Sequence, residues 1–368
     1  MAIIDSENSV HGDVRWARDV ANNSLARRAT SVTVGNQETD LYPHGTHVAG
    51  IISAVRNNAQ GVAGVCDQCE VLPIVFNPGS GDQGLAAAIR LAVRMDAQVI
   101  NMSLELRDET HPLSASCSTA FPHTRAAVAE AAAMGVTLVA SVGNHGTTFD
   151  GGASPNERNA QNVSPASCAG VISVGATDQL GRMSSYTNVG AMLMAPGGGA
   201  HANNNGHAGA FGAGVGCTLR DGGGGGDVPS TSTAGVLSAW RDGANVTTCY
   251  RHLSGTSMAA PHVAGVVGLM LAANPRLTPA QIQGILQAPT NATPVPGCTS
   301  VHCGAGMLNA ERAVNAAFAT AGAAVAYKGI CRFALGETCT IDTFDESPNG
   351  RLSVTAYGKI WNFDANGA

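Results

Sequence analysis

The sequence predicts an α/β protein built on a mostly parallel sheet with helices on both faces. Two observations carry this. Short apolar runs with strand character alternate with segments of helical apolar spacing, about 10–15 residues each, the pattern of parallel strands joined by crossover helices. The 368-residue chain is also 44% hydrophobic, enough to bury a substantial core and too much for a disordered tail protein.

The elements follow in order. Ala2-Ile3-Ile4 is a buried strand that stops at Asp5, and His44 to Val55 is a helix that opens on small residues. Val71 to Phe76 reads as a strand, and Gly84 to Arg94 as a helix with Leu85, Ala88, Ile89 and Ala92 on one side. Val99 to Leu104 is a strand, Ala126 to Met134 an alanine-rich helix, and Val136 to Val142 and Val171 to Val174 are further strands. Ligands of such sheets bind beyond the carboxyl ends of the strands, so the residues directly after each strand are the ones to search. Gly197 to Gly226 is a glycine-rich excursion that includes the unbroken run Gly222 to Gly226. Leu352, Val354 and Ala356 alternate within Gly350 to Phe363, which predicts a small β appendage.

Composition sharpens the division of the chain. Its only lysines, Lys328 and Lys359, lie near the C-terminus, together with Tyr327, Phe333, Phe344, Tyr357, Trp361 and Phe363. The expected organisation is a large domain over 1–316, a linker over 317–326 and the appendage over 327–368. A net charge of −6 with 12% charged residues carries no basic excess, so nucleic acid is not an expected partner. No apolar run approaches the ~20 residues of a membrane helix, and no membrane association is expected. The ten cysteines favour disulfides in an oxidising compartment. The rival reading of Cys66-Asp67-Gln68-Cys69 as a metal half-site lacks a second half with the same spacing.

Three element ends carry groups suited to one reaction. Asp5 ends the first strand, and His44 opens a helix in His44-Gly45-Thr46-His47-Val48-Ala49-Gly50. Ser257 opens another helix in Ser254-Gly255-Thr256-Ser257-Met258-Ala259-Ala260-Pro261-His262. A serine hydroxyl is a poor nucleophile until a base takes its proton, and an imidazole does so efficiently only when a carboxylate sets its tautomer. Asp, His, Ser is one of the chain orders in which this set recurs. In Ser141-Val142-Gly143-Asn144-His145-Gly146 the Asn144 amide follows a strand end and could donate to an oxyanion. Taken singly, Asp5 and Asn144 are turn residues, and His145 and His262 have packing or surface roles. His44 and His47 as a metal pair lack the glutamate of His-Glu-x-x-His. The conjunction of four segments in order carries the catalytic reading.

Together these segments resemble the subtilisin-like serine proteases, the subtilases, over about residues 1–316. The long run from Gly255 to Gly265 is the most specific part. The resemblance implies a three-layer sandwich around a mostly parallel sheet. It implies a secreted serine endopeptidase with Asp5 orienting, His44 as base, Ser257 as nucleophile and Asn144 as oxyanion donor. Chemistry needs no cofactor in this reading. Substrate would add as a strand along Ser103-Leu104-Glu105 and along Gly79-Ser80-Gly81, with Ser141, Val142 and Gly143 beside it. Glu105 stands where the family usually has glycine, at the border of the pocket for P1, the residue that contributes the scissile carbonyl. Its carboxylate would narrow that pocket or attract a basic side chain, and Val163 near the expected floor would reduce its depth. Small or basic P1 residues are therefore expected over large aromatics.

The resemblance also pairs Cys117 with Cys168 and has Cys298 and Cys303 close a small loop; proximity suggests 66–69, 217–249 and 331–339. Asp13 and the Asn57-Asn58 turn resemble parts of a family calcium site, with Asp13 and Asn58 as ligands; a surface aspartate and a turn is the plain alternative. The expected partners are protein or peptide substrates, with the chain a monomer. Family members carry a signal peptide, an inhibitory propeptide and a first helix ahead of the aspartate, so this chain is expected to be a truncated or mature-like fragment of a zymogen. Two rivals stand beside the enzyme. One is a catalytically inactive, peptide-binding or adhesive module of the same fold. The other is an acid-active carboxyl protease with a Ser-Glu-Asp set, which the complete His-Gly-Thr-His segment disfavours.

Overall fold

The structure is a computed structural model that describes residues 1–5, 11–19, 24–25, 44–106, 116–146, 158–199, 236–242, 246–288, 292–320, 343–346, 352–356 and 359–363. The chain divides into two compact units, Met1–Ala321 and Gly322–Ala368.

The first unit begins with β1 (Ala2–Asp5), the short pair β2 (Arg18–Asp19) and β3 (Ser24–Leu25), and α1 (His44–Ser53). Next come β4 (Leu72–Val75), α2 (Gly81–Arg94), β5 (Val99–Met102), α3 (Cys117–Ala120), α4 (Pro122–Ala133) and β6 (Thr137–Ser141). They are followed by β7 (Val171–Thr177), β8 (Leu193–Pro196) and the hairpin β9 (Val236–Asp242) and β10 (Val246–Leu253). The unit closes with α5 (Thr256–Ala273), α6 (Pro279–Gln287), β11 (Ala292–Thr293), α7 (Ser300–Cys303), β12 (Met307–Leu308) and α8 (Ala310–Ala319). α8 thus runs through the first residues of the segment read as a linker. In the second unit β13 (Thr343–Glu346), β14 (Leu352–Ala356) and β15 (Lys359–Phe363) form an antiparallel sheet in sequence order.

The central sheet has eight strands in the order β11-β12-β8-β7-β6-β5-β1-β4, all parallel except β11 against β12. Its strands read as continuous apolar runs because both faces are covered. Ile3, Val139 and Ile172 point into one apolar cluster with α1 and α5, whereas Ile4, Leu138 and Ile100 point into a second with α2 and α4. One-residue alternation along each strand thus supplies two cores.

Strand order locates the site before any side chain is considered. The chain steps from β1 outward to β4, then returns to place β5 on the other side of β1. A crevice opens at such a switch point, outside the carboxyl ends of the two strands. Here those ends carry Asp5 and Ser103.

α5 is the one helix among the described residues long and apolar enough to cross a membrane, at 18 residues and a mean hydropathy of 1.4, and 61% of it is buried inside the fold. It packs against the sheet and α1, so its hydrophobicity is that of a central core helix. Three disulfides lie among the described residues: Cys66–Cys69, Cys117–Cys168 and Cys298–Cys303. The first removes the metal half-site reading. The suggested pairs 217–249 and 331–339 lie outside the described side chains.

Candidate active site

The aspartate at the end of β1 is 2% exposed, and both its oxygens face the histidine that opens α1. His44 Nδ1 lies 3.0 Å from Asp5 Oδ1 and 2.9 Å from Oδ2. An ionised carboxylate only accepts, so Nδ1 carries the proton and the lone pair is left on Nε2. The Asp5 backbone is fixed as well, its carbonyl accepting from Phe76 N–H at 2.8 Å.

The serine is held differently. Gly255 caps α5 in an extended conformation, φ 165° and ψ 159°, so Thr256 and Ser257 form the first turn. Gly255 N–H donates to Gly197 O at 2.9 Å, next to the buried Tyr186, whose hydroxyl reaches Gly197 O at 2.8 Å. Thr256 donates twice to Asn144 Oδ1, from its N–H and its hydroxyl, both at 2.9 Å. These two donors fix which end of the Asn144 amide is oxygen, so the NH₂ group faces away from Thr256. Ser257 Oγ donates to Ser103 O at 3.4 Å.

Pro261 explains a further bond. Proline has no N–H, so the Ser257 carbonyl four residues earlier loses its helical partner. The Ser103 hydroxyl donates to that carbonyl at 2.8 Å, and Ser103 Oγ in turn accepts from Asn101 Nδ2 at 3.0 Å. One turn on, His262 Nδ1–H donates to Met258 O at 2.8 Å. Burial among apolar groups pushes the His262 pKa below its ordinary value, and the bond to Met258 O opposes this.

These positions place a carboxylate-bound imidazole at the start of α1 and a serine, neighbour to the Asn144-bound Thr256, in the first turn of α5; the two helices pack together, and the serine hydroxyl is bonded to Ser103 O. The profile of the Subtilase family matches residues 5–306. The chain belongs to the subtilase family. It is 31% identical over 357 residues to the extracellular protease of Xanthomonas campestris pv. campestris, an alignment covering 86% of this chain and 51% of that protein. It is 32% identical over 238 residues to the thermophilic serine proteinase of Bacillus sp. strain AK1, covering 63% of this chain and 43% of the other. The chain therefore spans about half the length of these relatives. Among solved structures, a protease from Pseudoalteromonas arctica PAMC 21717 superposes with a TM-score of 0.60 at 26% identity, over 86% of this chain and 89% of that one.

Beyond the subtilase residues at the switch point, Ser103, Leu104 and Glu105 continue from β5, and Leu106 N–H donates to Ser164 O at 2.8 Å. Ser141 ends β6, while Val142 and Gly143 (φ +94°) continue from it. Val163 is buried in the apolar cluster that also holds Leu106 and Val142. Gly79-Ser80-Gly81 does not form the expected second extended segment. Pro78–Ser80 is a 3₁₀ turn and Gly81, at φ +56°, starts α2. The cause is Asn77: its Oδ1 accepts from Gly79 N–H at 2.9 Å and its carbonyl from Ser80 N–H at 2.9 Å, which closes a turn where a strand would need open backbone.

Asp13 and Asn58 do come together, but around a carboxylate already supplied with donors. Asp13 is fully buried and accepts from Asn58 Nδ2 at 2.5 Å, Tyr250 OH at 3.1 Å and Val62 N–H at 3.4 Å. Calcium needs about six to eight oxygen ligands. Arranged this way the residues do not fit a calcium cage, and no group of three His, Cys, Asp or Glu side chains gathers among the described residues. Burial and the Asp13 charge push the Tyr250 pKa far up, so its hydroxyl stays a donor.

Sequence reasoning missed Ser103 as the partner of the Ser257 carbonyl, Tyr250 as the partner of Asp13, and the pairing of Glu105 with His145. Only the first had a readable signal: a proline four residues after the serine leaves a carbonyl to be satisfied.

Proposed function

We propose that the chain is a secreted serine endopeptidase acting through an acyl-enzyme, with Asp5, His44 and Ser257 as its triad. The observation that carries this is the two-oxygen grip of Asp5 on His44 Nδ1, at the start of a helix that packs against α5, whose first turn holds Ser257. His44 Nε2 takes the Ser257 Oγ proton as Oγ bonds to the scissile carbonyl carbon. The carbonyl oxygen becomes an oxyanion, and the Asn144 NH₂ group and Ser257 N–H donate to it; the latter belongs to a helix turn whose amides lack internal acceptors. Protonated His44 then gives its proton to the leaving amine as the C–N bond breaks. Water, deprotonated by the same Nε2, splits the ester and releases the acid.

Substrate backbone lies along Ser103-Leu104-Glu105, with Ser141, Val142 and Gly143 opposite and Val163 beneath. Catalysis is assigned to the first unit, and calcium takes no part in the reaction. Secretion is supported by the three disulfides and by the extracellular relative. A fluorophosphonate probe tests the reading: the full chain takes one label, and Ser257→Ala takes none. Failure of the folded wild-type chain to label or to cleave casein would favour the inactive peptide-binding module.

A further inference from the structure

We propose that Glu105 and His145 form a strap across the cleft beside the nucleophile, which makes the chain select substrates with small P1 side chains. The proposal rests on the protease reading above and names its substrate class. β5 and β6 are adjacent parallel strands. Their continuations, 103–105 and 142–145, are the two walls next to Ser257: Ser103 O accepts from Ser257 Oγ, and Asn144 holds Thr256. A P1 side chain attached to a carbonyl poised at Ser257 has to enter between these walls.

The strap joins them. His145 Nε2 lies 2.9 Å from Glu105 Oε2 and 3.1 Å from Oε1, and the two side chains are only 14% and 24% exposed. The carboxylate lies over the Gly143 backbone, where an added Cβ would sit 3.3 Å from Glu105 Oε2. Both ends are anchored by bonds away from the cleft. On one wall the fully buried Asn188 accepts from His145 N–H at 2.8 Å, donates from Nδ2 to Val142 O at 2.8 Å, and donates from its N–H to Gly143 O at 3.2 Å. On the other, Leu106 N–H is bound to Ser164 O. A large P1 side chain would have to part the pair and desolvate its carboxylate, while a methyl group would not. Since the carboxylate is engaged by an imidazole, a basic P1 side chain has to compete with that partner. Of the two roles the sequence leaves open for Glu105, narrowing therefore prevails.

The test uses the full chain and peptides that differ only at P1 (Ala, Phe or Arg), with kcat/KM referred to active sites counted by fluorophosphonate. The wild type prefers Ala to Phe and to Arg by about tenfold or more, the scale on which pockets discriminate by a methylene or two. Glu105→Gly raises the Phe/Ala ratio about tenfold. His145→Ala raises the Arg/Ala ratio by a similar factor, because Glu105 loses its imidazole partner, and adding Glu105→Gln abolishes that gain. Glu105→Ala serves as a second reading of the Phe/Ala ratio should the glycine variant not label. Labelled variants whose ratios stay within about twofold of wild type overturn the strap and leave the protease standing. A wild-type chain that takes no label overturns both.

Discussion

The two helices that open on the proposed base and nucleophile are secured in opposite ways. α1 presents His44 through a side-chain contact, the imidazole gripped by both oxygens of a buried carboxylate. α5 presents Ser257 through its backbone: Gly255 N–H on Gly197, Thr256 N–H on Asn144, and the Ser257 carbonyl on the Ser103 hydroxyl. The difference teaches which errors each can tolerate. A base must have the right proton on the right nitrogen, which an acceptor on Nδ1 ensures, and a carboxylate there also stabilises the imidazolium that forms. A nucleophile must be in the right place, which several bonds made by its own stretch of backbone ensure.

Substitutions that respect this division should separate chemistry from position. The largest loss is expected for Asp5→Asn, whose amide can present a donor to Nδ1 and favour the wrong tautomer. kcat should fall about 10⁴-fold with circular dichroism unchanged; a fall under tenfold would mean that the carboxylate does not set the imidazole. Asn144→Ala removes both the proposed oxyanion donor and the acceptor for Thr256. The known loss for such a donor in subtilisin is about 10²–10³ in kcat, and steady-state kinetics should show at least that here. Ser103→Ala strands the Ser257 carbonyl beside Pro261 and shifts the serine without touching its chemistry. A decrease in kcat of about 10–100-fold is expected with a smaller change in KM, and Ser103→Thr, which keeps the hydroxyl, should recover part of it.

The smallest expected effect concerns stability. The folded chain disfavours a proton on His262, so below about pH 6.5 the unfolded chain binds one that the folded chain refuses. Stability present at neutral pH is thus lost as pH falls through that range. Thermal melts at pH 7.5 and 5.5 should show a decrease in Tm that is smaller in His262→Gln; an equal decrease would remove His262 as a contributor.

Much of the sheet was legible because both-face burial writes continuous apolar runs, as in Ala2-Ile3-Ile4 and Leu138-Val139-Ala140. The positions of Asp5, His44, Ser257 and Asn144 were legible because each lies at an element end within a specific local motif. Illegible features depended on partners distant in sequence. Nothing near Glu105 announces His145, and nothing near Asp13 announces Tyr250, 237 residues away. The segment 79–81 was expected to be extended only because of the resemblance, and the Asn77 side chain and carbonyl hold it in a turn. α6 and α8 were overlooked although their caps, Thr278 with Gln281 and Asn309, are written in the sequence.

The β9–β10 hairpin has a mechanical consequence. On one side Ser238 Oγ donates to His47 O in α1 at 2.8 Å, and Gly50 has no Cβ where one would lie 2.9 Å from Ala239 Cβ. On the other, Tyr250 is tied to Asp13, and β10 runs on through Ser254 into the first turn of α5. A single stretch of chain therefore ties the helix of the proposed base to the helix of the proposed nucleophile. A slip in its register would shift one helix against the other even with the proposed catalytic side chains intact, so the hairpin adds to the direct packing of α1 on α5 in setting how the two helix ends face each other.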